Sequence, residues 1–164
     1  MDRTIFNQTL TEVATSARDQ LGALRCESGI WYKYVMLKNV TGTVAGVAGD
    51  PVHYVEGVTL KGYVNNHVAL DLTDGDTQPT GAGFLLATVT GTAGTAYYVW
   101  IQLTGLVTVP TAIAGTPVVG SYVQPSTSSG TDKTLTLGTG VINKMGIATQ
   151  TTAANNKIIA TCPF

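Results

Sequence analysis

Along this chain, short runs of aromatic and β-branched residues alternate with brief turn signals. The longest run is Ala96–Val109, AYYVWIQLTGLVTV. Tyr97, Tyr98, Val99, Trp100 and Ile101 all suit a pleated, packed surface. The pattern predicts a long, mostly buried strand, a turn at Thr104–Gly105 and a second strand starting at Leu106. Such a run cannot be left in water, so the rest of the chain must cover it.

Upstream, LGALRC and IWYKYVMLKN flank the turn signal Glu27–Ser28–Gly29, which predicts a β-hairpin of Ala23–Cys26 and Ile30–Leu37. The Gly-rich NVTGTVAGVAGD reads as a loop. PVHYVEG, VTLKGYV and HVALDL read as strands, with Pro51 at a first strand position and Asn65–Asn66 suited to a tight turn. After the turn-rich LTDGDTQPTGAG, GFLLATVTG is a strand that leads through GTAG into Tyr97–Leu103. LVTV, TPVVGSYVQ, TLTLG, INKMGIATQ and NKIIATCPF close the chain, interrupted by a Pro110–Gly115 loop and the polar surface excursion PSTSSGTDK. Short strands with regular turn signals predict an all-β fold, a compact β-sandwich or small β-barrel built from hairpins. The expected core is Trp31, Tyr34, Phe84, Trp100, Ile101, Ile147 and Ile159.

The first 20 residues have a different pattern. Leu10, Val13, Ala14, Ala17 and Leu21 recur at helical spacing, and Thr9 and Glu12 have the offset of a capping box. This predicts a short helix near Leu10–Gln20, or otherwise an arm, over residues 1–20, followed by a single β-rich domain over 21–164. An isolated helix of that length is marginal in water, so the segment must dock. It either caps its own domain or latches onto a neighbour. Ile5, Phe6, Leu10 and Val13 are the residues expected to make a neighbour contact.

A weak internal echo runs through the β-rich part. Ala48-Gly49-Asp50-Pro51-Val52 returns as Ala114-Gly115-Thr116-Pro117-Val118. Phe84–Thr88 with Tyr97–Gln102 returns as Met145–Thr149 with Lys157–Cys162. This suggests two similar β-halves on one core, by duplication or by shared constraint.

Composition sharpens the picture. The 164 residues suffice for a core without metal or disulfide staples. Only 12% are charged, against about 25% in an ordinary globular domain. That describes either a neutral β-protein or, more pointedly, a surface largely occupied by neighbours. The formal net charge is −1 and the Lys and Arg residues are scattered, which argues against direct nucleic-acid binding. No apolar run reaches the length of a membrane span. The N-terminus lacks the pattern of a secretory signal. Cys26 and Cys162 read as free thiols of a protein made in a cytoplasm, and a bridge requires the fold to bring the two ends together.

Candidate chemistry is sparse. His53 and His67 have no companion at zinc-ligand spacing. Asp71, Asp74 and Asp76 do not meet the register of a calcium loop. No nucleophile elbow, Walker loop or dinucleotide fingerprint occurs. The expectation is a protein that is not an enzyme and takes no metal or cofactor. Trp31, Tyr32, Tyr34, Tyr97, Tyr98 and Trp100 could line a sugar or peptide groove, but their apolar neighbours favour core positions.

Several short motifs occur together in order: Tyr32–Val35, Ala48–Val52, Gly83–Leu85, Tyr98–Val109, Ala114–Val118 and Met145–Ala148. In this arrangement residues 21–164 resemble the small β-rich capsid decoration, or cement, proteins of tailed bacteriophages. The chain is longer than the head-stabilising proteins of lambda-like phages, and the initial arm has no counterpart. The resemblance implies a structural virion protein, made in the host cytoplasm and bound to the outer face of the capsid. It implies the major capsid protein as partner, self-association as a homotrimer, and no contact with nucleic acid or membrane. A tail or fibre module that binds a host receptor is the alternative.

Overall fold

The structure is a computed structural model that describes residues 6–39, 42–55, 66–70, 80–110, 113–115, 117–126, 135–138, 144–149 and 157–162. These hold thirteen strands and no helix, an all-β fold. The predicted strand VTLKGYV, the DLTDGD acids, Ile5 and most of the PSTSSGTDK excursion lie outside the described residues.

β1 (Leu24–Glu27) and β2 (Ile30–Leu37) form the expected antiparallel hairpin. Ser28 and Gly29 turn it with positive φ at both positions, the geometry that matches the twist of the flanking strands. β2 runs parallel to β5 (His67–Ala69), which pairs antiparallel with β4 (Pro51–Tyr54). β4 continues to β6 (Gly81–Leu85), β6 to β8 (Tyr97–Gln102), and β8 back to β2. Five strands therefore close into a small barrel, with β1 as an extra strand on β2.

Alternation along β2 and β8 sorts their side chains by face. Val35, Leu37, Val99 and Ile101 point into the main core, whereas Tyr34 and Trp100, paired across the ladder, point to the outer side. A barrel's outer face normally meets water. Here residues 6–23 cover it: Phe6, Leu10, Leu21 and Ala23 pack on Tyr32, Tyr34 and Trp100. The two covered faces explain why Tyr97–Ile101 reads as a continuous apolar run rather than as an alternating one.

The expected helix over Leu10–Gln20 is absent. Glu12 N–H donates to the Thr9 carbonyl and Thr9 N–H to the Glu12 carboxylate, so the capping-box pair makes one turn and stops. Ala14 then bridges the edge of β8, exchanging both backbone hydrogen bonds with Tyr98. The edge of β8 satisfies backbone groups that a helix would otherwise have satisfied internally.

The predicted turn at Thr104–Gly105 does not fold back as a hairpin. β9 (Thr104–Thr108) leaves the barrel and becomes the edge of a second sheet, through the fully buried Leu103. That sheet has the order β11 (Leu135–Leu137), β10 (Tyr122–Pro125), β12 (Gly146–Ala148), β13 (Lys157–Thr161), β9. Its inward residues Val107, Val123, Ala148, Ile158 and Ala160 join the barrel side chains in one cluster. Gly49, at φ +91°, lies against the Thr108 backbone where the barrel meets β9, so a side chain there would be strained and would strike backbone. A third, two-stranded unit pairs β3 (Val44–Gly46) with β7 (Val89–Gly91). β3 falls in the stretch expected to be loop, and β7 is split from β6 within the expected single strand.

The two echoed segments are both antiparallel pairs, β6 with β8 and β12 with β13. The first is built into the closed barrel and the second into the second sheet.

Candidate docking surfaces

The arm is fastened by polar as well as apolar contacts. Gln8 is buried. Its amide nitrogen donates to the Glu12 and Tyr98 carbonyls at 2.6 and 2.8 Å, and its amide oxygen accepts from the Tyr34 hydroxyl at 2.6 Å. Asp19 accepts from the backbone N–H of Asn7 and Gln8 at 2.8 and 3.1 Å. Arg18 pairs with Glu12. Phe6 meets the Trp100 ring edge-on at 5.1 Å between centroids, and Arg25 lies over both rings. Of the residues assigned to a neighbour contact, Phe6 and Leu10 pack on the arm-covered cluster and Val13 on the main core. All three are half-buried within their own domain. Nothing in the sequence pattern marked Gln8 as the residue that ties the arm down.

Tyr34, Phe84, Trp100 and Ile101 are buried as expected. Three other core assignments need correction. Trp31 is 38% exposed: it shares the inward face of β2 with Lys33 but lies one residue beyond the β2–β8 ladder, where the β1–β2 hairpin extends past the barrel. Ile159 is 46% exposed and Ile147 half-buried. Both occupy outward positions of the second sheet, which packs on the core through one face only.

Those outward residues form a row. Tyr122 is paired with Ile147, Ile147 with Ile159, and Ile159 with Leu106, so one apolar line crosses β10, β12, β13 and β9. Leu106 is 60% exposed. At the β10 end, the turn Val118–Ser121 presents Val118 and Val119, 59% and 62% exposed. At the β9 end, Leu106 lines an open depression of about 440 Å³ with Ala48, Gly49, Leu86, Thr108 and Pro110. No titratable side chain lines it. Lys144 lies 4.3 Å from the centre of the Tyr122 ring, and Lys157 occupies an exposed position two residues from Ile159.

The described titratable groups are dispersed. Among the described residues, no three His, Cys, Asp or Glu side chains converge to hold a metal. His53 and His67 are buried, and His67 Nε2 donates to the Lys38 carbonyl at 2.9 Å. Cys26 is exposed, Cys162 is buried, and neither is in a disulfide. Lys33 is buried, with Nζ 2.9 Å from the Tyr54 hydroxyl. Burial lowers the Lys33 pKa, and burial followed by the nearby Cys162 pushes Tyr54 up to about 12. Among the described residues, no helix is long and apolar enough to cross a membrane.

What the geometry provides is surface: an aromatic barrel face covered by the arm, and an apolar sheet row that no described segment covers. No family model matches the chain, and no curated protein is found to be similar to it.

Proposed function

We propose that this chain is a structural virion protein that binds the outer surface of a tailed-phage capsid and stabilises contacts between major capsid proteins. The observation that carries the reading is the exposed apolar row Tyr122–Ile147–Ile159–Leu106 on a chain with only 12% charged residues. A contiguous exposed apolar surface is characteristic of a surface that meets another protein. The motif order described above supplies the phage context. In this reading the protein works as a homotrimer on the exterior of the particle, performs no catalysis, and touches neither DNA nor membrane. Many copies, each holding neighbouring shell subunits, raise the barrier to rupture by multivalent attachment.

The receptor-binding alternative has less support. Of the aromatic residues that could line a glycan groove, Tyr32, Tyr34 and Trp100 are buried, Tyr97 and Tyr98 are half-buried, and Trp31 alone of the six is exposed. The open depression is lined by aliphatic and small residues with Gln102 and Thr108, and by no aromatic ring.

The test is co-sedimentation, and then imaging, of the purified protein with expanded heads assembled from the capsid protein encoded in the same genome. Saturable binding at fixed positions on the shell is expected. Absence of binding at saturating protein refutes the assignment.

A further inference from the structure

We propose that the apolar row docks an acidic, apolar strip of the capsid protein, one that sets carboxylates against Lys144 and Lys157 while its apolar side chains cover Tyr122, Ile147, Ile159 and Leu106. This names the chemistry of the partner surface, and it rests on the reading of the chain as a capsid-binding protein.

Two lysines border the row on its own face. Lys144 Nζ stands 4.3 Å from the centre of the Tyr122 ring, and Tyr122 is 39% exposed. Exposed and buried positions alternate along β13, so Lys157 shares the outward side with Ile159, about 7 Å along the strand. From β10 to β9 the row crosses three strand spacings, about 14 Å.

Among the described residues of the second sheet and its turns, these two lysines are the only charged side chains. The ion pairs among the described residues, Arg18 with Glu12 and Arg25 with Glu27, belong to the arm and to the β1–β2 hairpin. Thr104, Thr108 and Thr161 border the row without charge. The face is therefore apolar with a cationic margin, and no described carboxylate balances it.

That margin selects the occupant. A purely apolar partner would leave two ammonium groups desolvated and unpaired, which opposes binding. A partner with lysines of its own would add repulsion. A strip that carries carboxylates beside its apolar side chains meets both demands. Rim pairs of this kind act mainly on the rate of encounter and the choice of partner, whereas the apolar centre sets how long the contact lasts. An anionic bilayer would also attract the lysines, but segments that hold one use clusters of about four to eight basic residues, and two are too few.

The experiment flows the full chain over immobilised expanded heads, assembled from the capsid protein of the same genome, and reads association and dissociation rates. Salt is raised from about 0.1 to 1 M, across which the screening length falls from about 10 to 3 Å. Wild-type association is expected to slow at least ~10-fold over that range. Lys144→Glu with Lys157→Glu is expected to slow association at least ~10-fold at low salt and to remove the slowing by salt. Leu106→Ser with Ile159→Ser is expected to speed dissociation at least ~10-fold at every salt, with association within about twofold of wild type. All four positions are at the surface, and circular dichroism with urea titration establishes that each variant is folded. Lys38→Glu is the control for net charge. Lys38 lies seven residues beyond Trp31, whose N–H meets the Thr104 hydroxyl at the start of β9, so it is about 23 Å further along β2. It is expected to slow association less than Lys157→Glu alone.

The two readings fail differently. A wild type that ignores heads ends the functional reading and this one together. Binding that survives Leu106→Ser with Ile159→Ser moves the contact off the row, and binding that is indifferent to salt or quickened by the glutamates makes the partner strip non-acidic. Either result overturns this proposal and leaves capsid binding standing. Co-sedimentation with phosphatidylserine vesicles that is lost in Lys144→Glu with Lys157→Glu would overturn it in favour of a membrane.

Discussion

Trp100 is the residue whose replacement best tests how the barrel and its arm are joined. It is fully buried on the outer face of β8, with Tyr34 and Phe6 each 5.1 Å away between ring centroids. Trp100→Ala removes the whole indole and leaves a cavity between barrel and arm, at a cost of about 3–5 kcal/mol. With a urea m-value of about 2 kcal/mol/M, that lowers the denaturation midpoint by roughly 2 M. The thermal midpoint falls by about 2–4 °C for each kcal/mol in a chain of this size.

Trp100→Phe separates packing from hydrogen bonding. The indole Nε1 is buried without a hydrogen-bond partner among the described residues. Phenylalanine loses packing volume but also removes that unpaired N–H, whose burial costs about 1–3 kcal/mol. The two effects oppose each other, so Trp100→Phe is expected within about 1 kcal/mol of wild type. Urea titrations followed by far-ultraviolet circular dichroism and by fluorescence of the remaining Trp31 measure both variants. A Trp100→Ala change below about 1 kcal/mol would mean that the arm is not part of the folded unit. A Trp100→Phe loss as large as that of Trp100→Ala would refute the offset from the unpaired N–H.

Three further outcomes follow from the same structure. Phe6→Ala and Trp100→Ala are expected to be non-additive, with a coupling of about 0.5–1.5 kcal/mol from the edge-on ring pair; strict additivity in a double-mutant cycle would remove Phe6 from the interface. Gly146→Ala places a Cβ 2.6 Å from the Ile159 carbonyl oxygen of the neighbouring strand, so urea unfolding is expected to show a loss of about 1–3 kcal/mol, and an unchanged midpoint would mean the β12–β13 ladder yields freely. Tyr32, Tyr34, Tyr54 and Cys162 all have pKa values raised chiefly by burial, so the stability they contribute is present below their ordinary values of 10.0 for Tyr and 9.0 for Cys and is lost as pH rises towards their native values. Lys33, whose pKa burial lowers, acts oppositely: stability rises with pH from its native value to its ordinary 10.5. Urea midpoints are expected to fall as pH rises through the alkaline range, and Lys33→Met, which removes the one opposing contribution, is expected to steepen that fall.

Local signals carried much of this fold. Ser28–Gly29 specified the β1–β2 hairpin because both residues tolerate positive φ. The run Tyr97–Ile101 marked the central strand because both of its faces are covered. Features that depend on distant partners were not legible. β3 is three small residues without periodicity, and it is a strand only because Thr90 and its neighbours pair with it. The spacing of Leu10, Val13, Ala14 and Ala17 fits a helix, yet Ala14 finds its backbone partners on Tyr98. Gly105 signalled a turn and does have a positive φ, but it lies within β9, paired with Ala160, where the chain has passed into another sheet rather than back along the first. Ile147 and Ile159 read as core because the sequence does not say which face of a sheet is covered.

The two outer faces of this molecule are built by opposite rules. Over the barrel, aromatic side chains point outward and the chain supplies its own cover, tied down by Gln8, Asp19 and Ala14. Over the second sheet no described segment plays that part. A face intended for water would carry polar residues throughout, as Thr104, Thr108 and Thr161 do near its margins. Its middle line is instead Tyr122, Ile147, Ile159 and Leu106, where apolar exposure forgoes about 25 cal/mol of stabilisation for every Å² left in water. The same chain that invests a segment of its N-terminus in shielding one aromatic face covers this row with no described segment, and that contrast is why the proposed function places another protein there.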